Sequence, residues 1–256
     1  MYPYRTRFKK EIIAEFFPPR QARSKRRKQE RVIILCPGQP GRPSNSAFLE
    51  FWPKKGFWTF ALRYRGSWES SGRFLRHSPH EDVLDILDDL PRGFTEAFAH
   101  RRFKIGKNAK YYIFGNSFGG PAALLAGRDP RVTKVVCASP VVDWRDQIKH
   151  GETNSWTEKF TREAFGEAYR FSHKDWKKLD SGKFYNPVAH IPEINGHKTL
   201  IIHSKDDKVV RFGPVSKFAK RTDARTLFVK RGGHGSSGWF IRPRFAKKIL
   251  AFLKEK

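Results

Sequence analysis

The sequence predicts one doubly wound α/β domain on a mostly parallel sheet, with a small helical insertion. Short apolar, β-rich runs recur along the chain, segments of helical periodicity lie between them, and one long interval breaks the alternation. The runs are 31–36 (RVIILC), 57–64 (FWTFALRY), 110–114 (KYYIF), 134–138 (KVVCA), 199–203 (TLIIH) and 226–230 (TLFVK). Nearly continuous apolar strands bounded by Gly, Pro and Ser suit a parallel sheet covered on both faces. Helical patterns occupy 81–103, with a break at Pro91, then 118–126, 214–221 and 239–253. Strand alternating with helix is the signature of a doubly wound sheet. Residues 8–17 (FKKEIIAEFF) read as an antiparallel edge strand, so that 1–30 form this strand plus a basic connector. The core follows in two parts, 31–140 and 197–256. Between them, 141–196 contains no convincing strand but is rich in aromatics, Trp156, Phe160 and Phe165 among them. A structureless loop of that length is improbable in a compact domain, so the interval is expected to be a helical cap or lid.

The chain has 256 residues, 38% of them hydrophobic, enough for one sizeable core. Cys36 and Cys137 each sit inside an apolar run and read as buried thiols, which fits a reducing, cytoplasmic setting. The N-terminus lacks the apolar region of a signal peptide, and no stretch has the length of a bilayer span. Lys and Arg number 52 against 25 Asp and Glu, a net charge of +27. Such a field attracts polyanions and anionic lipid surfaces. The basic residues are nevertheless scattered along the whole chain, and the one dense run is Arg20, Arg23, Lys25, Arg26, Arg27, Lys28 and Arg31. Dispersed surface charge without a dedicated partner is the favoured reading, above contact with nucleic acid or a membrane surface.

Chemistry concentrates in three segments. The run KYYIF leads into Gly115-Asn116-Ser117-Phe118-Gly119-Gly120 and then into a helical stretch. Flanking glycines permit a tight strand-to-helix turn that lifts Ser117 above the carboxyl edge of the sheet. The helix that follows directs its first N–H groups and positive dipole end toward developing negative charge. Alone, G-x-S-x-G is a weak pattern; its place between strand and helix gives it weight. A base is expected later in the chain, and His234 lies between glycines in Gly232-Gly233-His234-Gly235, after the last predicted strand. His203, at the end of an apolar strand, reads as a satisfied strand-end histidine. The acid that orients the base is either Asp206 or Asp207, both in the loop after the 199–203 strand, where ligands bind in parallel sheets. No cofactor or metal is expected.

These segments, in the order Ser, Asp, His, resemble the α/β-hydrolase superfamily. The resemblance runs from Arg31 onward and is strongest to the branch of prolyl-oligopeptidase-like and acyl-peptidase-like catalytic domains and their esterase relatives, without a propeller domain. Its motifs are Tyr64-Arg65-Gly66-Ser67, Ser139-Pro140-Val141-Val142-Asp143-Trp144 and Asn186-Pro187-Val188-Ala189-His190-Ile191. An H-G-x-x-D-x-x-V acid loop matches at His203, Ser204, Asp207 and Val210, which favours Asp207 over Asp206. The resemblance further implies an oxyanion hole of the Gln39 and Phe118 backbone N–H groups, although Pro37 replaces the histidine of the usual H-G-x turn. It implies acyl transfer to water through an acyl-enzyme on Ser117, with a small-molecule acyl substrate. A carboxylic ester is favoured, and a peptide or amide is the alternative. The cap would then supply apolar surface over the acyl or leaving-group pocket. A rival of another class is a non-catalytic basic protein that binds polyanions on a hydrolase scaffold.

Overall fold

The structure is a computed structural model that describes residues 2–20, 29–41, 45–150 and 154–255. Of the dense basic run, Arg23, Lys25, Arg26, Arg27 and Lys28 lie outside these residues. An eight-stranded sheet runs in the order β1 (Tyr4–Phe8), β2 (Ile12–Phe17), β4 (Trp58–Leu62), β3 (Arg31–Cys36), β7 (Lys110–Asn116), β8 (Val132–Ala138), β9 (Thr199–Ser204) and β10 (Arg225–Val229). From β4 to β10 every pair is parallel, while β2 joins β4 and β1 joins β2 antiparallel. The mostly parallel α/β fold read from the sequence is the one observed.

Alternation along the strands fills two apolar layers. In β3, Val32, Ile34 and Cys36 face a layer that includes residues of α2 (Pro79–Asp89), α3 (Gly119–Ala126) and α7 (Phe212–Thr222). Ile33 and Leu35 face the other, with residues of α1 (Ser46–Phe51) and α8 (Pro243–Lys254). Both layers hold residues with almost no solvent exposure, which is why these strands read as continuous apolar runs.

Two expectations need correction. Residues 8–17 are not one edge strand: Lys9 and Lys10 adopt left-handed conformations (φ 47° and 59°) and turn the chain from β1 into β2. The edge is β1, whereas all of β2 is buried, and its Glu15 is matched by Arg5 at 3.0 Å and Arg63 at 3.1 Å. The helical pattern over 81–103 also ends early. Glu81 reaches back to the Ser78 N–H (3.1 Å) to cap α2, but the helix stops at Asp89. Past Pro91 the short strands β5 (Phe94–Thr95) and β6 (Arg102–Phe103) pair instead. Phe94 and Phe103 stack there at 5.7 Å and pack on Phe16 and Trp58, so tertiary aromatic contacts override local helix propensity.

Residues 141–196 fold as α4 (Trp144–His150), α5 (Asn154–Phe165), α6 (His173–Lys177) and several 3₁₀ turns. Their aromatics divide. Trp176 and Tyr185 are buried, and Phe165 is half-buried against Tyr169 and Trp68. Trp156 and Phe160 remain exposed. Phe165→Ala is therefore expected to lower unfolding free energy by about 2 kcal/mol, below the full-burial cost of a phenylalanine. Urea denaturation checks this. Among the described residues no helix is long and apolar enough to cross a membrane.

Candidate active site

The carboxyl ends of β3, β7, β8, β9 and β10 converge on one edge of the sheet, and the segments that follow them build the site. Ser117 sits between β7 and α3 with φ 51°, a left-handed conformation that costs a non-glycine residue energy. The turn is held by the Ser117 N–H on Ala138 O (3.0 Å) and by the N–H groups of Gly120 and Val141 on Ser117 O (2.9 and 3.2 Å). Glycine is required at 119 for close approach, since a Cβ there would lie 2.0 Å from the Cys36 carbonyl oxygen. That contact presses the start of α3 against the turn after β3, where Gln39 lies.

The candidate base and acid meet across two loops. His234 Nδ1 lies 2.9 Å from Asp207 Oδ2 and 3.1 Å from Oδ1. Asp207 also accepts the N–H groups of Val209 (2.9 Å) and Val210 (3.0 Å). Burial opposes ionisation of Asp207, but the hydrogen bonds from His234 and Val210 outweigh it and hold its pKa below the ordinary carboxylate value. An ionised Asp207 assigns the proton of neutral His234 to Nδ1, leaving the Nε2 lone pair as the acceptor. Asp206 takes a different position, accepting the N–H groups of Gly232 (3.0 Å) and Gly233 (2.9 Å), so it ties down the loop that carries the histidine.

His203 is fully buried and does not line the cavity; its Nε2–H donates to Val210 O at 3.1 Å. Its Nδ1 has no partner among the described residues, so the strand-end histidine is only half satisfied. Burial lowers its pKa and keeps it neutral.

Ser117 and His234 line one cavity of about 500 Å³, together with Gln39, Trp156 and Phe160. No hydrogen bond joins Ser117 to His234 among the described residues; such contacts commonly tighten only when substrate binds. A smaller slot of about 70 Å³ adjoins it, with Phe118, Val141, Trp144 and Leu179 among its walls, and shares Gln39 and Ser117 with the larger cavity. Among the described residues the backbone N–H groups of Gln39 and Phe118 donate to no protein acceptor, as an oxyanion hole requires. No cluster of three or more His, Cys, Asp or Glu side chains is placed to hold a metal ion among these residues.

Residues 43–256 match the prolyl oligopeptidase family. The chain belongs to this family of serine hydrolases. Solved structures share its fold. An acylaminoacyl peptidase of Pyrococcus horikoshii aligns with TM-score 0.65 and 16% identity over 98% of this chain and 40% of its own. A puromycin-hydrolyzing peptidase of Mycobacterium tuberculosis aligns with TM-score 0.70 and 16% identity over 98% and 39%. An esterase of Pyrococcus furiosus aligns with TM-score 0.67 and 14% identity over 99% and 91%. This chain thus spans about two fifths of the peptidases and most of the esterase. A search of curated proteins by sequence finds no match.

In this prolyl oligopeptidase family member the site has braces that the residue pattern did not reveal. Ser139, in a left-handed conformation (φ 45°) after β8, accepts the Gly235 N–H at 2.8 Å through its hydroxyl, tying the end of β8 to the loop that carries His234. Tyr64 donates to Pro37 O (3.0 Å), two residues before Gln39, and Tyr185 donates to the carbonyl of Phe118 itself (2.6 Å). Tyr64 and Ser139 stand in the family motifs, but nothing in those motifs says what they touch.

Proposed function

We propose that the chain hydrolyses carboxylic esters through an acyl-enzyme on Ser117, with His234 as general base and Asp207 as the orienting acid. The observation that carries this reading is the Asp207–His234 pair opening onto the cavity lined by Ser117 at its strand-to-helix turn. His234 Nε2 takes the Ser117 hydroxyl proton as Oγ attacks the carbonyl carbon. The Gln39 and Phe118 N–H groups receive the negative charge on the carbonyl oxygen. As the tetrahedral intermediate collapses, protonated His234 gives its proton to the departing alcohol. Water, deprotonated by His234, then attacks the acyl-enzyme and releases the acid and free Ser117.

An ester is the favoured reading and a peptide or amide the alternative; solved structures of this fold include both an esterase and acylaminoacyl peptidases. Residues 141–196 act in this reading as a cap over the site. The free, buried thiols of Cys36 and Cys137 support a reducing, cytoplasmic setting. A fluorophosphonate probe should label wild-type protein at Ser117 and fail to label Ser117→Ala. Comparison of p-nitrophenyl esters with p-nitroanilides of the same acyl group decides between esterase and peptidase. Labelling elsewhere, or none, defeats the reading.

The net charge of +27 is read as dispersed and without a catalytic role. Serine at positions 23, 25, 26, 27 and 28 should leave hydrolysis of a small neutral ester within about twofold, while flattening the salt dependence of any polyanion binding. Selective nucleic-acid binding at physiological salt that vanishes with these substitutions would favour a recruitment role instead.

A further inference from the structure

Five large apolar side chains are exposed among the described residues, and three of them, Trp156, Phe160 and Val209, border the cavity that holds Ser117 and His234. Trp156 is 48% exposed and Phe160 39%, a substantial apolar surface for a soluble protein to leave in water at the mouth of a cleft. The two rings stand one helical turn apart on α5, parallel within 4° and 5.2 Å between centroids. They form an offset-stacked aromatic pair, a shelf at the mouth of the cleft.

The shelf is fixed with respect to the reacting groups. Phe160 meets Phe165 edge-on at 6.0 Å, and Phe165 meets the buried Tyr169 at 5.8 Å. The Tyr169 hydroxyl accepts the N–H of Gly41, another residue of the cavity wall, at 3.2 Å. One turn away, Thr161 Oγ1 accepts a hydrogen bond from Gln39 Nε2 at 2.9 Å. Helix α5 is therefore bolted to the turn that supplies an oxyanion donor. Asn45, Ser236 and Ser237 also line the cavity, with small polar side chains.

The direction of proton transfer says which half of the substrate meets this shelf. Protonated His234 must reach the leaving oxygen, so the leaving group lies on the His234 side. His234 lines the larger cavity and not the smaller slot, whereas Ser117 and Gln39 line both. We infer that the slot takes the acyl group and that the Trp156–Phe160 shelf binds an aryl-bearing alcohol, making the natural substrates esters of a flat aromatic alcohol. This inference rests on the esterase reading above and adds the class of the leaving group.

The test uses two butyrate esters, of 2-naphthylmethanol and of ethanol, whose leaving groups are both alkoxides. Wild-type kcat/KM should favour the naphthylmethyl ester by about tenfold or more, the scale of one good aromatic contact. Trp156→Ala and Phe160→Ala should each remove most of that preference while leaving ethyl butyrate within about twofold, and Trp156→Phe should retain it. With ethanol held constant, the acyl-chain profile should be unchanged in all three. Equal losses on both butyrates overturn the proposal, as does a shifted acyl-chain profile with the alcohol preference intact. If Ser117 labels with fluorophosphonate and both esters are cleaved without aryl preference, the shelf alone is refuted. If Ser117 does not label and neither ester is cleaved, the hydrolase reading falls and the shelf falls with it.

Discussion

Ser117→Ala is expected to lower hydrolysis of p-nitrophenyl acetate by at least about 10⁴-fold while leaving the fold intact. The substitution removes only an oxygen. Alanine occupies the same left-handed backbone position, and the Ser117 hydroxyl makes no hydrogen bond among the described residues, so stability should change by less than about 1 kcal/mol. Without Oγ there is no acyl-enzyme, and what remains is water attack assisted by the Gln39 and Phe118 N–H groups. His234→Ala should cost a similar factor because Oγ then has no proton acceptor. The double variant should be no worse than either single one, since a nucleophile without its base and a base without its nucleophile are equally idle. Steady-state kinetics on the four proteins, with thermal melts to confirm folding, checks this. Multiplicative losses would mean that the two residues do not act in one step, and wild-type turnover in Ser117→Ala would remove the nucleophile assignment altogether.

What the sequence made legible follows from how local each signal is. The turn at Ser117 was legible because strand, glycine-flanked serine and helix are consecutive, and the close approach of Gly119 to Cys36 O shows why glycine stands there. The six core strands were legible because a sheet covered on both faces needs unbroken apolar runs. The hairpin of β1 and β2 was not. Two lysines inside 8–17 look like solvent-facing strand positions, and only the pairing of β1 with β2 reveals that they form a turn. The braces of the site were hidden for a related reason: Ser139 and Gly235 are 96 residues apart, and Tyr185 and Phe118 are 67 apart. Helical spacing places Trp156 and Phe160 on one face of α5, but which way that face turns depends on contacts made by Phe165, Tyr169 and Thr161 elsewhere.

The adjacent aspartates give the sharpest separation of roles, because one change of chemistry at neighbouring positions should have opposite consequences. In Asp207→Asn the amide retains an oxygen for the Val209 and Val210 N–H groups, so the loop should keep its shape. Its NH₂, however, turned toward His234 donates to Nδ1 and forces the proton onto Nε2, which can then no longer accept one from Ser117. The expected loss in kcat is about 10⁴-fold. At Asp206 the same replacement also keeps a carbonyl oxygen, and here that oxygen is all the N–H groups of Gly232 and Gly233 require. Asp206→Asn should therefore stay within about threefold of wild type. Asp206→Ala removes the acceptor and frees the loop before His234, and a loss of about tenfold is expected, the lower end of what misplacement of a reacting group costs. Kinetics on the three variants distinguishes a carboxylate needed for its charge from one needed for its oxygen. A 10⁴-fold loss in Asp206→Asn with near-normal Asp207→Asn would transfer the orienting role to Asp206 and contradict the 2.9 Å contact between Asp207 and His234.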